Sequence, residues 1–252
     1  MLLAINIGNT NVSMGIFEET TLISPHKASA ADINEVFERI RTLIGPFRSQ
    51  IDAVGIAGVN PPVLSEIDSF LREQEILPLI IGRDVAVPVD NLTDEPEKVG
   101  TDRLLNALAA YKRFRLPVMI VDAGTATTID VVDQYGRFLG GAIMPGPRTL
   151  LDSMHKSTAA LPRIALNEAT VKINGPRGLP EIAKNTKDAM IAGVCWSLVG
   201  AIEMLKAVYE KQVGPLKVVG TGGAINFVPR TLDIFDAILP HLTLEGIALT
   251  IS

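Results

Sequence analysis

Four apolar residues, Val118, Met119, Ile120 and Val121, run straight into Asp122-Ala-Gly-Thr-Ala-Thr-Thr-Ile-Asp130. A run so rich in β-branched residues that meets a glycine reads as a buried strand, which turns at Gly124 and returns from Thr127 to Val132 as a second strand. The order leaves a carboxylate at the strand end. Gly124 lets the backbone come close to a ligand, and Thr125, Thr127 and Thr128 offer hydroxyls and N–H groups to an anion. Taken alone, the segment reads equally well as an ordinary tight hairpin with a polar tip.

The start of the chain repeats the pattern. Leu2, Leu3, Ala4 and Ile5 lead into Asn6-Ile-Gly-Asn-Thr-Asn11 and out through Val12 to Phe17, so that Asn6 matches Asp122 and Gly8 matches Gly124. Two such copies predict two similar α/β lobes facing a nucleotide cleft, each contributing one phosphate-binding hairpin. That is the duplicated, ribonuclease H-like arrangement of the actin-like superfamily of sugar kinases and heat-shock ATPases. The expected division is 1–114 for the N-terminal lobe and 115–252 for the C-terminal lobe. Neither copy is a GxGxxG or GxxxxGK[ST] sequence, so neither a Rossmann site nor a P-loop is supported.

With 252 residues, 47% of them hydrophobic, the chain can bury a sizeable core in one large or two modest domains. A formal charge of -5 without a Lys or Arg cluster argues against nucleic acid or an anionic membrane as partner, so a bound phosphate must be met locally. The mean hydropathy of +0.30 is high, yet no apolar run approaches the roughly 18 residues of a membrane span. The excess is expected in buried strands, buried helices or a subunit interface. Met1 to Ile5 reads as a first strand and not as a signal peptide. The single cysteine, Cys195, permits no intrachain disulfide, which suits the cytoplasm, and its apolar helical surroundings point to a structural thiol.

In chain order, the first hairpin is followed by a strand at Thr21 to Ala28, a helix from Asp32 to Leu43, a strand from Asp52 to Gly58, a helix after Asn60-Pro-Pro62 and a strand at Pro78 to Ile81. A polar, proline-containing stretch from Asp90 to Lys98 then delivers the chain to Val99-Gly-Thr-Asp-Arg103 and a helix through Tyr111. Asp102 in a first helical turn is explained by the helix dipole alone, whereas Arg103 opposes that dipole and calls for an anionic ligand or an ion pair. Beyond the central motif, Gly140-Gly-Ala-Ile-Met-Pro-Gly146 can approach a ligand closely or form a plain turn. Thr149 to Ser157 is expected to be helical, and residues 163–180 to be an irregular surface loop with turns at Asn174-Gly-Pro-Arg-Gly178. Asn185 and Thr186 cap a long helix to about Tyr209, apolar nearly all round and hence either buried or packed on a second subunit. Lys217 to Val219 is a strand leading into Gly220-Thr-Gly-Gly-Ala224, a weak nucleotide-loop signal, and Leu242 to Ile251 is helical. The three histidines lack metal-ligand spacing, and CxxC, HExxH and GxSxG are all missing.

With the hairpin pair, Gly100-Thr-Asp-Arg103, Gly140-Gly-Ala-Ile, Pro145-Gly146, Ala160-Leu-Pro162, Asn185-Thr186 and Thr221-Gly-Gly223 in this order, the chain resembles the type III pantothenate kinases from end to end. The resemblance implies ATP-dependent phosphorylation of pantothenate, the first step of coenzyme A synthesis. It further implies a homodimer with a divalent ion such as Mg2+ and a monovalent cation, K+ or NH4+. By resemblance, Gly8, Asn9, Thr10 and Asn11 hold the ATP phosphates, Thr125 meets them from the second lobe, and Gly222 and Gly223 contact adenosine. Asp102 is similar to the general base, with Gly100, Thr101 and Arg103 beside it as substrate-binding residues, while Thr158 and Thr186 reach the substrate across the dimer. Asp122 corresponds to the ligand of the monovalent cation.

Three departures stand out. The family has an aspartate that helps place the divalent ion where this chain has Asn6, which keeps the shape without the charge. The Gly-x-Asn-Thr motif appears as Ala183-Lys-Asn-Thr186, and Ser24 to Ser29 lacks a Trp-Arg pair. Asn6 therefore leaves a second reading, a non-catalytic or weakly active relative that binds nucleotide or regulates, and a further one, a kinase for another small hydroxyl substrate.

Overall fold

Two five-stranded sheets carry the chain, each built from the same succession of elements. The first holds β1 (Leu2–Ile7), β2 (Asn11–Glu18), β3 (Thr21–Ser29), β4 (Ala53–Gly58) and β5 (Leu79–Ile80) in the order β3-β2-β1-β4-β5. The second holds β6 (Val118–Ala123), β7 (Ala126–Val132), β8 (Phe138–Pro145), β9 (Lys217–Thr221) and β10 (Ala237–Ile238) in the order β10-β9-β6-β7-β8. Read from its other edge the second order repeats the first. In both, the central strand pairs antiparallel with the strand that follows its hairpin and parallel with the strand that follows the next helices. This computed structural model describes residues 1–175, 178–180 and 182–251, so Pro176 and Arg177 of the expected turn lie outside the described residues.

In the first unit, helices α1 (Ile33–Phe47) and α2 (Pro61–Glu73) meet one face of the sheet. Leu3, Ile5 and Ile7 of β1 point there and join Val36, Ile40, Ile67 and Leu71 in one core. The other face is small at its centre, where Ala4, Gly55 and Ala57 leave room for helices to lie close. Leu105 of α3 (Thr101–Phe114) and Leu244, Ile247 and Ala248 of α7 (Leu242–Ile251) fill it. A side chain at Gly55 would begin 2.8 Å from Ile247, which is how near α7 lies. Both faces being covered, β1 reads as a nearly continuous apolar run and not as an alternating one.

The units therefore do not follow one cut in the chain. The first comprises Met1–Arg113, Gly136–Phe138 and the residues from His241 on, and the second Phe114–Tyr135 and Leu139–Pro240. Relative to the expected division at 114/115, α7 falls in the first unit, because its apolar face fits the small-residue side of the first sheet. Residues 136–138 depart from that division through backbone pairing: Phe138 N donates to Asp90 O at 2.8 Å and Leu92 N donates to Phe138 O at 2.9 Å.

The second core gathers Met119, Val121, Ile129 and Val131 under α6 (Thr186–Val213), which contributes Met190, Ile191, Val194, Cys195, Leu198, Val199 and Ile202. Helix α4 (Pro147–Ser157) lies against α6. The expected irregular loop contains a helix, α5 (Leu166–Ile173): Leu166, Ala169 and Ile173 fall on one face and pack into this core, which outweighs the turn-forming residues around them. Cys195 is fully buried, and the loss of hydration pushes its thiol up to about 12, so it is an inert packing residue.

Helix α6 also corrects the expectation about apolar runs. Charged residues interrupt it, but its isoleucine, valine, leucine, methionine and alanine residues hold an 18-residue window at a mean hydropathy of 1.6, long and apolar enough by composition to cross a membrane. The buried side just described makes it the core helix of the second unit. Its other side exposes Trp196, Met204 and Val208, at 46%, 66% and 39%.

Candidate active site

The expected site residues divide between the units, and within each most of them stand where parallel strands end. In the first unit the hairpin between β1 and β2 is closed by Gly8 N donating to Asn11 O at 2.9 Å, and Ala30 N donates to Thr10 O at 3.0 Å, tying the turn to the end of β3. Asn9 projects at the tip, while Asn6, Gly8, Thr10 and Asn11 are half-buried. Val59 N donates to Ile7 O at 3.0 Å, so the carboxyl ends of the parallel strands β1 and β4 stay together past the sheet. Ligands of open α/β sheets bind outside such ends.

The Gly100-Thr-Asp-Arg103 element opens α3. Asp102 Oδ1 accepts a hydrogen bond from Arg103 N at 2.9 Å, so the carboxylate folds back over the first turn instead of extending into solvent. Gly100 makes this possible, since a Cβ there would sit 2.6 Å from the same oxygen. Thr101 faces Gly82, just beyond β5, where a side chain would begin 3.1 Å from Thr101 Oγ1. Burial pushes the Asp102 carboxyl above the usual carboxylate range, partly countered by the N–H and the charge of Arg103. A half-buried carboxylate of raised pKa beside a cation has the character of a general base for an alcohol proton. The guanidinium of Arg103 lies over the ring of Phe138, with Cζ 5.3 Å from the ring centroid. Phe138 is a contributor that sequence reasoning missed, because one aromatic in a strand carries no signal of what it supports.

In the second unit, Asp122 sits one residue before the end of β6, beside Thr221 of β9 in parallel register. Gly222 follows with φ +89, and a Cβ there would lie 2.4 Å from Asp122 Oδ1 and 2.6 Å from Ala123 O, so both conformation and space demand glycine. Gly223 is exposed beside it, and Ala224 N donates to Ala123 O at 2.8 Å. The glycines lead into a single 3-10 turn, Ile225–Phe227. Thr125 O accepts from Gly146 N at 2.9 Å and from Thr149 Oγ1 at 2.6 Å, which fastens the Pro145-Gly146 motif and the start of α4 to the second hairpin. Asp122, Thr125, Gly222 and Gly223 thus gather at the ends of β6 and β9. Thr127 does not offer its hydroxyl at the tip: it is fully buried, and Oγ1 has no hydrogen-bond partner.

Thr158 and Thr186 stand at helix ends. The Thr158 hydroxyl donates to Met154 O at 2.8 Å and accepts from Leu161 N at 3.3 Å, closing the end of α4. Thr186 is exposed as the first residue of α6, whose cap is Asn185: its side chain accepts from Asp188 N and donates to Asp188 Oδ2, both at 2.9 Å. Lys172 and Asn185 together hold the Asp188 carboxyl below the usual range.

Among the described residues no group of three or more His, Cys, Asp or Glu side chains is placed to hold a metal ion. Asn6, a neutral amide, offers a divalent cation no charge, which suits an ion held chiefly by nucleotide phosphates and water, the habit of Mg2+.

Twin sheets of matching order, each ending in a glycine hairpin, define the class: the chain has the two-lobed α/β fold of the actin-like ATPases and kinases. It is similar in structure to a Campylobacter jejuni protein described as a conserved Baf family transcriptional activator, with a TM-score of 0.63 and 19% identity over 99% of this chain and 96% of that one. It is also similar to MreB5 of Spiroplasma citri bound to ADP, with a TM-score of 0.54 and 12% identity over 98% and 95%. Within this class the chain belongs to the type III pantothenate kinase family, whose sequence model matches residues 2–208. It is 35% identical to the type III pantothenate kinase of Paramagnetospirillum magneticum, over 98% of this chain and 95% of that protein. With that of Syntrophobacter fumaroxidans the identity is 33%, over 98% and 96%.

Proposed function

We propose that this chain phosphorylates pantothenate with ATP, the reaction of its family, and that Asp102 is the general base. The reading rests on one observation, the half-buried carboxylate of raised pKa folded over Gly100 next to Arg103. In phosphoryl transfer, positioning and charge neutralisation supply most of the rate, and a carboxylate that accepts the alcohol proton completes the set. Asp102 takes the proton of the attacking hydroxyl as the oxygen bonds to the γ-phosphorus of ATP and the bond to the β-γ bridging oxygen breaks, leaving ADP. Arg103, with Gly100 and Thr101, holds the anionic substrate.

The backbone of Gly8 to Asn11 and the Thr125 turn hold the phosphates, with Gly222 and Gly223 toward the adenosine. A divalent ion bound with ATP, near Asn6, neutralises charge on the phosphates. Asp122 binds a monovalent cation, K+ or NH4+, through its carboxylate. The exposed side of α6, with Trp196, Met204 and Val208, forms a homodimer interface, and Thr158 and Thr186 reach the partner's substrate. A coenzyme A enzyme of this kind works in the cytoplasm. Family membership supports the catalytic reading, and nothing favours the non-catalytic one. ADP release measured with and without pantothenate tests the whole: release that ignores pantothenate sinks it.

A further inference from the structure

Arg103 occupies a first helical turn, where the helix dipole disfavours a cation. We propose that Phe138 is a positioning residue for Arg103, acting through both its ring and its backbone. Its ring is fully buried, and Cζ of the guanidinium lies 5.3 Å from the centroid, inside the range where the negative ring face attracts a cation. The attraction acts on the guanidinium charge and so biases where its N–H donors, the groups that grip a carboxylate, are carried. The backbone of Phe138 does the second part. Its N–H donates to Asp90 O at 2.8 Å and its carbonyl accepts from Leu92 N at 2.9 Å, which clamps the start of the loop leading to Gly100. Asn91, between those two residues, braces the loop further by donating from Nδ2 to Pro96 O at 3.1 Å. One residue, carried to the first unit by the turn between β7 and β8, thus fixes both the approach to the Gly100-Arg103 element and the direction of its cation.

The inference rests on the reading of Arg103 as the group that binds the pantothenate carboxylate, and the test separates the two. KM and kcat are measured for pantothenate and for its uncharged alcohol analogue, in the parent, Phe138→Leu, Arg103→Ala and the double variant. The expected result is a rise of about 3- to 10-fold in KM for pantothenate in Phe138→Leu, with kcat little changed, the alcohol analogue unaffected and no further rise when Arg103 is already alanine. If Arg103→Ala leaves KM for pantothenate unchanged, the reading of Arg103 fails and this inference with it. If Arg103→Ala raises KM but Phe138→Leu does not, or does so equally in both backgrounds or for both substrates, the Phe138 proposal is overturned while the Arg103 reading stands. Should Phe138→Leu fold poorly, a ring-fluorinated phenylalanine at position 138 keeps the shape while weakening the ring face. An unchanged KM with it overturns the proposal, and a raised one supports it.

Discussion

Asn6 and Asp122 hold the same position in two different sheets: each is the fifth residue of a six-residue central strand and is followed by one apolar residue and then a glycine turn. The fold thus supplies two equivalent strand-end sites, one with an amide and one with a carboxylate. Asn6→Asp adds a charge at nearly constant volume, and it is expected to raise turnover and lower the magnesium concentration needed for half-maximal rate. Loss of a single oxyanion donor costs about 2.7 to 4 kcal/mol, or about two to three orders of magnitude, so a gain of up to about three orders is expected. A magnesium titration of both forms checks it, and superimposable curves would show that position 6 does not govern the metal.

Asp102→Asn is expected to lower turnover by about 10²- to 10⁴-fold while nucleotide binding survives. It should also stabilise the fold at neutral pH. Burial raises the folded pKa of Asp102 above its unfolded value, so its favourable contribution belongs to the protonated form, is complete below the unfolded pKa and is lost as pH rises through the folded pKa. At pH 7 the ionised group is a net burden that asparagine removes. In the parent enzyme the acidic limb of kcat/KM should lie above the usual carboxylate range. A variant that keeps near-parental turnover, with chemistry rate-limiting, would exclude Asp102 as the base.

Potassium or ammonium is expected to stimulate the enzyme and sodium to do so poorly, through the Asp122 carboxylate. Gly222→Ala tests the same point. The new Cβ would lie 2.4 Å from Asp122 Oδ1 at a φ of +89, so the carboxylate must move and the backbone is strained by about 1 to 3 kcal/mol. Denaturant unfolding should show the loss, and rates in matched potassium and sodium buffers should converge. Equal parental rates in the two salts would remove the cation site.

Thr127→Val is expected to stabilise the protein by about 1 kcal/mol, because it removes a buried hydroxyl that has no partner. Turnover should be unchanged. A fall in kcat or a rise in KM for ATP would mean instead that the hydroxyl serves a bound ligand.

Met204→Glu, on the exposed side of α6, is expected to shift a dimer toward monomer at micromolar concentration. Sedimentation velocity reads this directly. A parent that is already monomeric would refute the dimer, and a variant that remains dimeric would refute only the placement of its interface.

What the sequence by itself determined was local. The two strand–glycine–strand copies, the first turn carrying Asp102 and Arg103, and the cap at Asn185 are set by residues within a few positions of one another, so periodicity and turn chemistry reveal them. The short α5 escaped because Leu166, Ala169 and Ile173 make a helix stable only once the second core is present to bury them. The remainder depended on tertiary structure, which joins residues far apart in the chain. Helix α7 returns to the first sheet because Ala4, Gly55 and Ala57 leave a shallow face there. Gly222 must be glycine because β9 lies beside β6 and brings it against Asp122. Phe138 meets Arg103 because strand pairing with Asp90 and Leu92 carries it there, a relationship that no spacing along the chain encodes.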